Sequence, residues 1–160
     1  MTQIEEQIGS LLIASDSSLC TAESFTSGAL ASRITSVPGA SAYFRGAIVA
    51  YSEKVKSNLL EVSTSLIETH GVVCVEVAEA MALGARKLLE SDYALATTGI
   101  AGPGGGTEET SVGTVCLAIV GDGICKSWRL KFDGDRKCVV EQSISRVLRD
   151  FRDILAGNTE

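Results

Sequence analysis

The sequence predicts a layered α/β domain with a mixed sheet. Apolar runs of strand length alternate with segments of helical period, two strand-like runs lie side by side near the C-terminus, and a long amphipathic segment closes the chain.

In order, Ile4, Ile8, Leu11 and Leu12 recur at helical spacing, and Leu19-Cys20-Thr21-Ala22 suits a buried strand. Glu23 to Ile34 opens on small and hydroxyl residues, continues through Gly28, Ala29, Leu30 and Ile34, and reads as a helix ended by Val37-Pro38-Gly39-Ala40. Phe44 to Ser52 reads as a strand and Glu53 to Leu60 as a helix. Ser63-Thr64-Ser65-Leu66 reads as the capped start of a short helix closing at His70-Gly71. Val75 to Leu89 places Val77, Ala78, Met81, Ala82 and Ala85 on one stripe. Strands follow at Tyr93 to Thr98, Gly113 to Val120 and Cys125 to Phe132. The last helix, Asp135 to Leu155, gathers Val140, Ile144, Val147, Leu148, Phe151 and Leu155 on one face. The order is largely β-α-β-α-α-β, then two adjacent strands and a helix, with the antiparallel part of the sheet expected at the hairpin.

A chain of 160 residues fits one domain spanning 1–160, with no repeat or linker to mark a second. No apolar stretch approaches the roughly 20 residues that span a bilayer, and the N-terminus lacks a signal pattern, so no membrane association is expected. Five cysteines without a Cys-x-x-Cys pair fit a reducing, cytoplasmic setting without zinc. A formal net charge of −6 and the lack of a basic stripe argue against nucleic acid, leaving a small anion held locally by backbone dipoles and one or two cations. The modest size and the apolar stripe of the last helix make a homodimer or higher homo-oligomer the default expectation.

The stretch Gly99-Ile100-Ala101-Gly102-Pro103-Gly104-Gly105-Gly106 leaves the backbone free to approach a phosphate-sized ligand, or serves only as a flexible connection. It matches neither a nucleotide P-loop nor a dinucleotide fingerprint. Thr21-Ala22-Glu23-Ser24-Phe25-Thr26-Ser27-Gly28 lies where a strand passes into a helix, which makes Ser24 either a helix cap or a nucleophile, with the N–H groups of Thr26, Ser27 and Gly28 as oxyanion donors. His70, the one histidine, sits at an apparent helix end and suits a cap or the surface better than a triad. Lys56, on the helix after Tyr51-Ser52, is the alternative base if burial lowers its pKa; otherwise it is a solvated helix lysine and Tyr51 an edge aromatic. Arg136 opens the last helix and is a phosphate partner or a surface charge, with Asp135 as N-cap.

Together Thr21-Ala22-Glu23-Ser24, Val37-Pro38-Gly39, Tyr51-Ser52 with Lys56, His70-Gly71-Val72-Val73, Thr98 to Gly105, Val112-Gly113-Thr114-Val115 and Gly134-Asp135-Arg136 resemble the CinA C-terminal domain family. Its characterised members are nicotinamide-nucleotide amidases. The resemblance runs from about Leu19 to Leu148 and is to the stand-alone form, without the larger N-terminal domain of many relatives. It implies a three-layer α/β/α fold with a mixed, mostly parallel sheet. It also implies hydrolysis of the carboxamide of nicotinamide mononucleotide to nicotinate mononucleotide and ammonia, without metal or organic cofactor, in pyridine-nucleotide salvage. Carried over by position, Ser24 is the nucleophile, Lys56 its base and Tyr51 a relay or orienting hydroxyl. Arg136 and the Gly102 to Gly106 backbone, Gly104 and Gly105 included, receive the phosphate of the small phosphorylated pyridine nucleotide. The chain departs from the family at Phe25, Ser27, Glu53 and Cys74, where cysteine, glycine, asparagine and serine are usual. Phe25 and Ser27 are expected to narrow the pocket, and Glu53 to hold Lys56 protonated. The alternative is a non-catalytic member that binds a nucleotide or a partner protein.

Overall fold

The structure is a computed structural model and describes residues 3–158. Helix α1 (Ile4–Ala14) leads to β1 (Leu19–Glu23), α2 (Ala29–Thr35), β2 (Phe44–Val49), α3 (Glu53–Leu60), α4 (Thr64–His70) and α5 (Val75–Leu88). Strands β3 (Tyr93–Gly99), β4 (Thr114–Gly121) and β5 (Ile124–Lys131) follow, and α6 (Arg136–Leu155) ends the fold. The five strands lie in the order β2-β1-β3-β4-β5. Strand β1 pairs in parallel with β2 and β3, whereas β3–β4 and β4–β5 are antiparallel. Only β4 runs against the others, so the sheet is mixed with most strands pointing one way. Antiparallel pairing extends beyond the expected hairpin to β3–β4.

One further difference has a clear cause. The helix expected from Glu23 begins at Ala29, because Glu23 ends β1 and the turn that follows takes Ser27 to φ 52 and Gly28 to φ 92, which no right-handed helix accommodates. Between β2 and β3 lie the three helices read from the sequence, one more than the order β-α-β-α-α-β counts.

Alternation along the central strands sorts side chains by size. Leu19, Leu95, Val115, Leu117 and Ile119 face one core with Ile8 and Leu12 of α1, Leu30 and Ile34 of α2, and Val147, Leu148 and Phe151 of α6. The opposite face presents Cys20, Ala22, Ala94, Ala96, Cys116 and Ala118 to Ala78, Met81, Ala82 and Ala85 of α5. Large residues therefore fill one layer, while small ones let α5 lie close to the sheet. The apolar stripe of α6 is consumed within the chain, Val147, Leu148 and Phe151 being fully buried, and so gives no support to self-association. Among the described residues no helix is long and apolar enough to cross a membrane. Cys20, Cys74 and Cys116 are buried and Cys125 and Cys138 exposed, all as free thiols. Burial pushes the thiols of Cys20 and Cys116 up to about 11.

Helix α3 crosses α5 at Gly84, where an added Cβ would stand 2.0 Å from the Leu60 carbonyl oxygen. The obstacle is backbone, so the helices must separate to admit a methyl group. Gly84→Ala is expected to destabilise the fold by about 2 kcal/mol, within the range for overpacked cores, read as the denaturant midpoint; an unchanged midpoint would mean that α3 is free to slide.

Candidate active site

Strand order reverses at β1: the chain passes from β1 outward to β2 and returns to β3 on the other side of β1. Crevices at the carboxyl ends of such strands are the usual ligand sites of open α/β sheets. Here the ends of β1 and β3, the start of α3 and the glycine-rich loop after β3 enclose a cleft of about 390 Å³. That is a size suited to a small molecule.

Ser24, the residue after β1, is fixed by its N–H, which donates to the Thr97 carbonyl at 3.0 Å. Lys56 lies within α3, whose N-terminus Ser52 caps by accepting from the Val55 N–H at 3.3 Å. The Lys56 side chain turns inward and is only 2% exposed, against the rule that lysines stay wet. Its Nζ donates to the Ala50 carbonyl at 2.8 Å and lies 3.0 Å from Ser24 Oγ. Burial lowers the proton affinity of the Lys56 amine below the ordinary lysine value, and the Glu53 carboxylate raises it part of the way back. Glu53 thus acts on this amine in the expected direction, but desolvation is the larger effect and the net direction is downward.

The other residues singled out in the sequence divide between two cavities. Tyr51, Glu53, Gly102, Gly104, Gly105 and Arg136 line the cleft with Ser24 and Lys56. Thr26 and Ser27 face a neighbouring cavity of about 680 Å³, which shares Phe25, Ala101 and Arg136 with the cleft; Gly28 lines neither. Phe25 is thus a wall between the two, buried in the core that faces α1, α2 and α6. Tyr51 is 61% exposed, and its hydroxyl accepts from Arg136 Nη2 at 3.1 Å rather than meeting Ser24 or Lys56. Arg136 also donates from Nη1 to the Gly102 carbonyl at 3.0 Å, which joins α6, the glycine-rich loop and Tyr51 across the cleft mouth. His70 is exposed at the end of α4 and does not line the cleft.

The expected oxyanion donors need revision. The Ser27 N–H donates to the Ser24 carbonyl at 3.0 Å and the Gly28 N–H to Glu23 Oε2 at 2.9 Å, so both are engaged. Among the described residues, the N–H groups of Phe25 and Thr26 have no acceptor within the chain, and neither have those of Gly102, Gly104 and Gly105. Sequence reasoning also left three contributors without a role: Ala50, whose carbonyl holds the amine, Thr97, and Glu23. A carboxylate at a strand end, three residues before a threonine and just ahead of a helix start, is the one signal that pointed to Glu23.

Fold and site together define a three-layer α/β domain with a buried hydroxyl–amine pair at its topological switch point. The chain belongs to the CinA C-terminal domain family, whose profile matches residues 1–155. A CinA-like protein of Citrifermentans bemidjiense is 50% identical over 134 residues, covering 84% of this chain and 32% of the relative. One of Mycobacterium marinum is 44% identical over 156 residues, covering 97% and 36%. The chain thus spans about a third of these relatives. The solved CinA superfamily protein from Enterobacter cloacae aligns with a TM-score of 0.92 at 30% identity over 95% of this chain and 90% of that one. The competence/damage inducible protein CihA from Agrobacterium tumefaciens aligns with a TM-score of 0.86 at 31% identity, covering 99% and 100%.

Two outcomes follow from this geometry. Glu53→Gln removes the charge that favours protonated Lys56, so the Lys56 titration midpoint, read by NMR at the carbon next to Nζ, moves to lower pH; an upward shift would mean that Glu53 does not act on the amine. Ser27→Gly relieves a left-handed conformation that costs an L-residue roughly 1–2 kcal/mol. After the entropy lost by glycine, about 0.5–1 kcal/mol, it is expected to raise stability by about 0.5 kcal/mol in chemical denaturation.

Proposed function

We propose that the domain is an amidohydrolase of the Ser-Lys type that converts nicotinamide mononucleotide to nicotinate mononucleotide and ammonia. The observation that supports this best is the 3.0 Å approach of the buried Lys56 Nζ to Ser24 Oγ. An amide is a weak electrophile with a poor leaving group, so its hydrolysis needs an activated nucleophile, a stabilised oxyanion and a proton for the departing nitrogen.

In this reading neutral Lys56 takes the Ser24 proton as Oγ bonds to the carboxamide carbon, and the carbonyl electron pair moves to oxygen. The N–H group of Phe25, which lines the cleft and has no acceptor within the described chain, receives the oxyanion. The tetrahedral adduct collapses with cleavage of the C–N bond, and Lys56 passes its proton to the leaving nitrogen as ammonia forms. Water, deprotonated by the same amine, attacks the acyl ester, and Ser24 leaves with the proton returned. Arg136 and the N–H groups of Gly102, Gly104 and Gly105 bind the phosphate. Tyr51 serves by orienting Arg136 and not as a proton relay.

A second reading, a binding domain without turnover, is favoured by Phe25 and Ser27, which crowd and strain the turn after Ser24. Incubation with nicotinamide mononucleotide separates the two. The hydrolase reading expects ammonia and nicotinate mononucleotide in equal amounts, with Ser24→Ala and Lys56→Ala each slower by about 10³-fold or more. Nucleotide affinity by calorimetry with no product selects the binding domain instead, and full activity in Ser24→Ala removes the nucleophile.

A further inference from the structure

Glu23 is fully buried and has no salt-bridge partner among the described residues, although it carries a carboxylate next to Ser24. Five donors surround it. Oε2 accepts from Thr26 Oγ1 at 2.7 Å, the Gly28 N–H at 2.9 Å and the Leu30 N–H at 3.1 Å, while Oε1 accepts from the Ala31 N–H at 2.8 Å and Thr21 Oγ1 at 3.1 Å. Three of these donors are backbone groups at the start of α2, which an intact helix leaves unpaired and which carry the positive end of its dipole. The side chain therefore folds forward over its own turn and fastens the start of α2 to the end of β1. Thr26 Oγ1 lies 2.7 Å from Thr97 Oγ1, which ties the same turn to β3.

The backbone of Glu23 reaches the other partner. Its carbonyl accepts from the Ala50 N–H at 2.8 Å, and the Ala50 carbonyl accepts from Lys56 Nζ at 2.8 Å. Glu23, Ala50, Lys56 and Ser24 thus form a closed ring, three links being hydrogen bonds and the fourth the Glu23–Ser24 peptide. A displacement of the turn after Glu23 therefore bears directly on the contact between hydroxyl and amine.

We propose that Glu23 is a positioning residue whose carboxylate, by fastening the α2 start to the β1 end, holds Ser24 Oγ against Lys56 Nζ. Its kinetic consequence rests on the amidase reading; its geometric consequence does not. Glutamine has the same length but turns an NH2 toward backbone N–H groups, and the Gly28, Leu30 and Ala31 donors cannot reverse as hydroxyls can. The turn must then shift to satisfy them.

The test is a crystal structure of Glu23→Gln with hydrolysis kinetics on nicotinamide mononucleotide. The Ser24–Lys56 separation is expected to open from 3.0 Å to beyond about 3.5 Å, the limit of a hydrogen bond. The kcat is expected to fall about 100-fold with KM within twofold, since small misplacements at a reacting centre cost that much. Leu12→Ala, a core truncation in α1, controls for stability and keeps its kcat. An unchanged separation, or a kcat within threefold of wild type, overturns the proposal. If Glu23→Gln does not fold, Thr26→Val decides: a tenfold or greater fall in kcat at constant KM upholds the proposal, and an unchanged kcat overturns it. Wild-type protein without turnover defeats the amidase reading alone; an opened separation in either variant then still upholds the positioning role, and an unchanged one overturns it.

Discussion

A primary amine kept out of water is the constraint on which this site depends. Lysine is among the residues least often buried, because its ammonium form loses several kcal/mol of hydration in a low-dielectric interior. The chain meets that requirement with a single carbonyl, that of Ala50, and a single hydroxyl, that of Ser24. With so few partners the neutral amine gains over the charged one, and its proton affinity falls below that of an ordinary lysine. Helix α3, which carries this lysine, packs closely against α5, where the Leu60 carbonyl leaves no room for a side chain at Gly84.

The same economy shapes the opposite side of the cleft. In many α/β proteins a helix N-terminus faces the ligand, but the start of α2 is already filled by the Glu23 carboxylate. Donors for an anion must come from elsewhere, and those left unpaired are in the turn after Ser24 and in the glycine-rich loop. Free N–H donors thus lie in two places, beside the hydroxyl in the turn after Ser24 and in the glycine-rich loop that lines the cleft. A substrate with a reacting carbonyl at one end and an anionic group at the other matches that layout.

Much of this was legible in the sequence because the informative signals are local. Helix α3 follows Ser52, and α6 follows Asp135, which accepts from the Cys138 N–H as a cap should, so both boundaries were visible in the residue order. The start of α2 was not, since Glu23-Ser24-Phe25-Thr26 has acceptable helix formers and nothing in it announces the left-handed pair at Ser27 and Gly28. Nor was the engagement of Gly28, because a side chain folding forward over five residues leaves no periodic trace. The place of Lys56 near Ser24 followed from strand ends and family likeness, but its burial did not: an exposed and a buried lysine on a first helical turn have the same spelling. The nearness of Glu53 to Lys56 was likewise visible in the sequence, while the competing desolvation was not.

The division of the sheet into a large-residue face and a small-residue face also limits how the sequence can drift. On the face toward α1, α2 and α6, leucine, isoleucine, valine and phenylalanine can trade volume with one another and keep the layer filled. On the face toward α5, alanines and cysteines meet the alanines and Met81 of that helix, and an enlargement there has to push α5 away from the sheet. One side of the molecule is therefore open to exchange of volume, while the other is held to small residues by the closeness of α5 to the sheet.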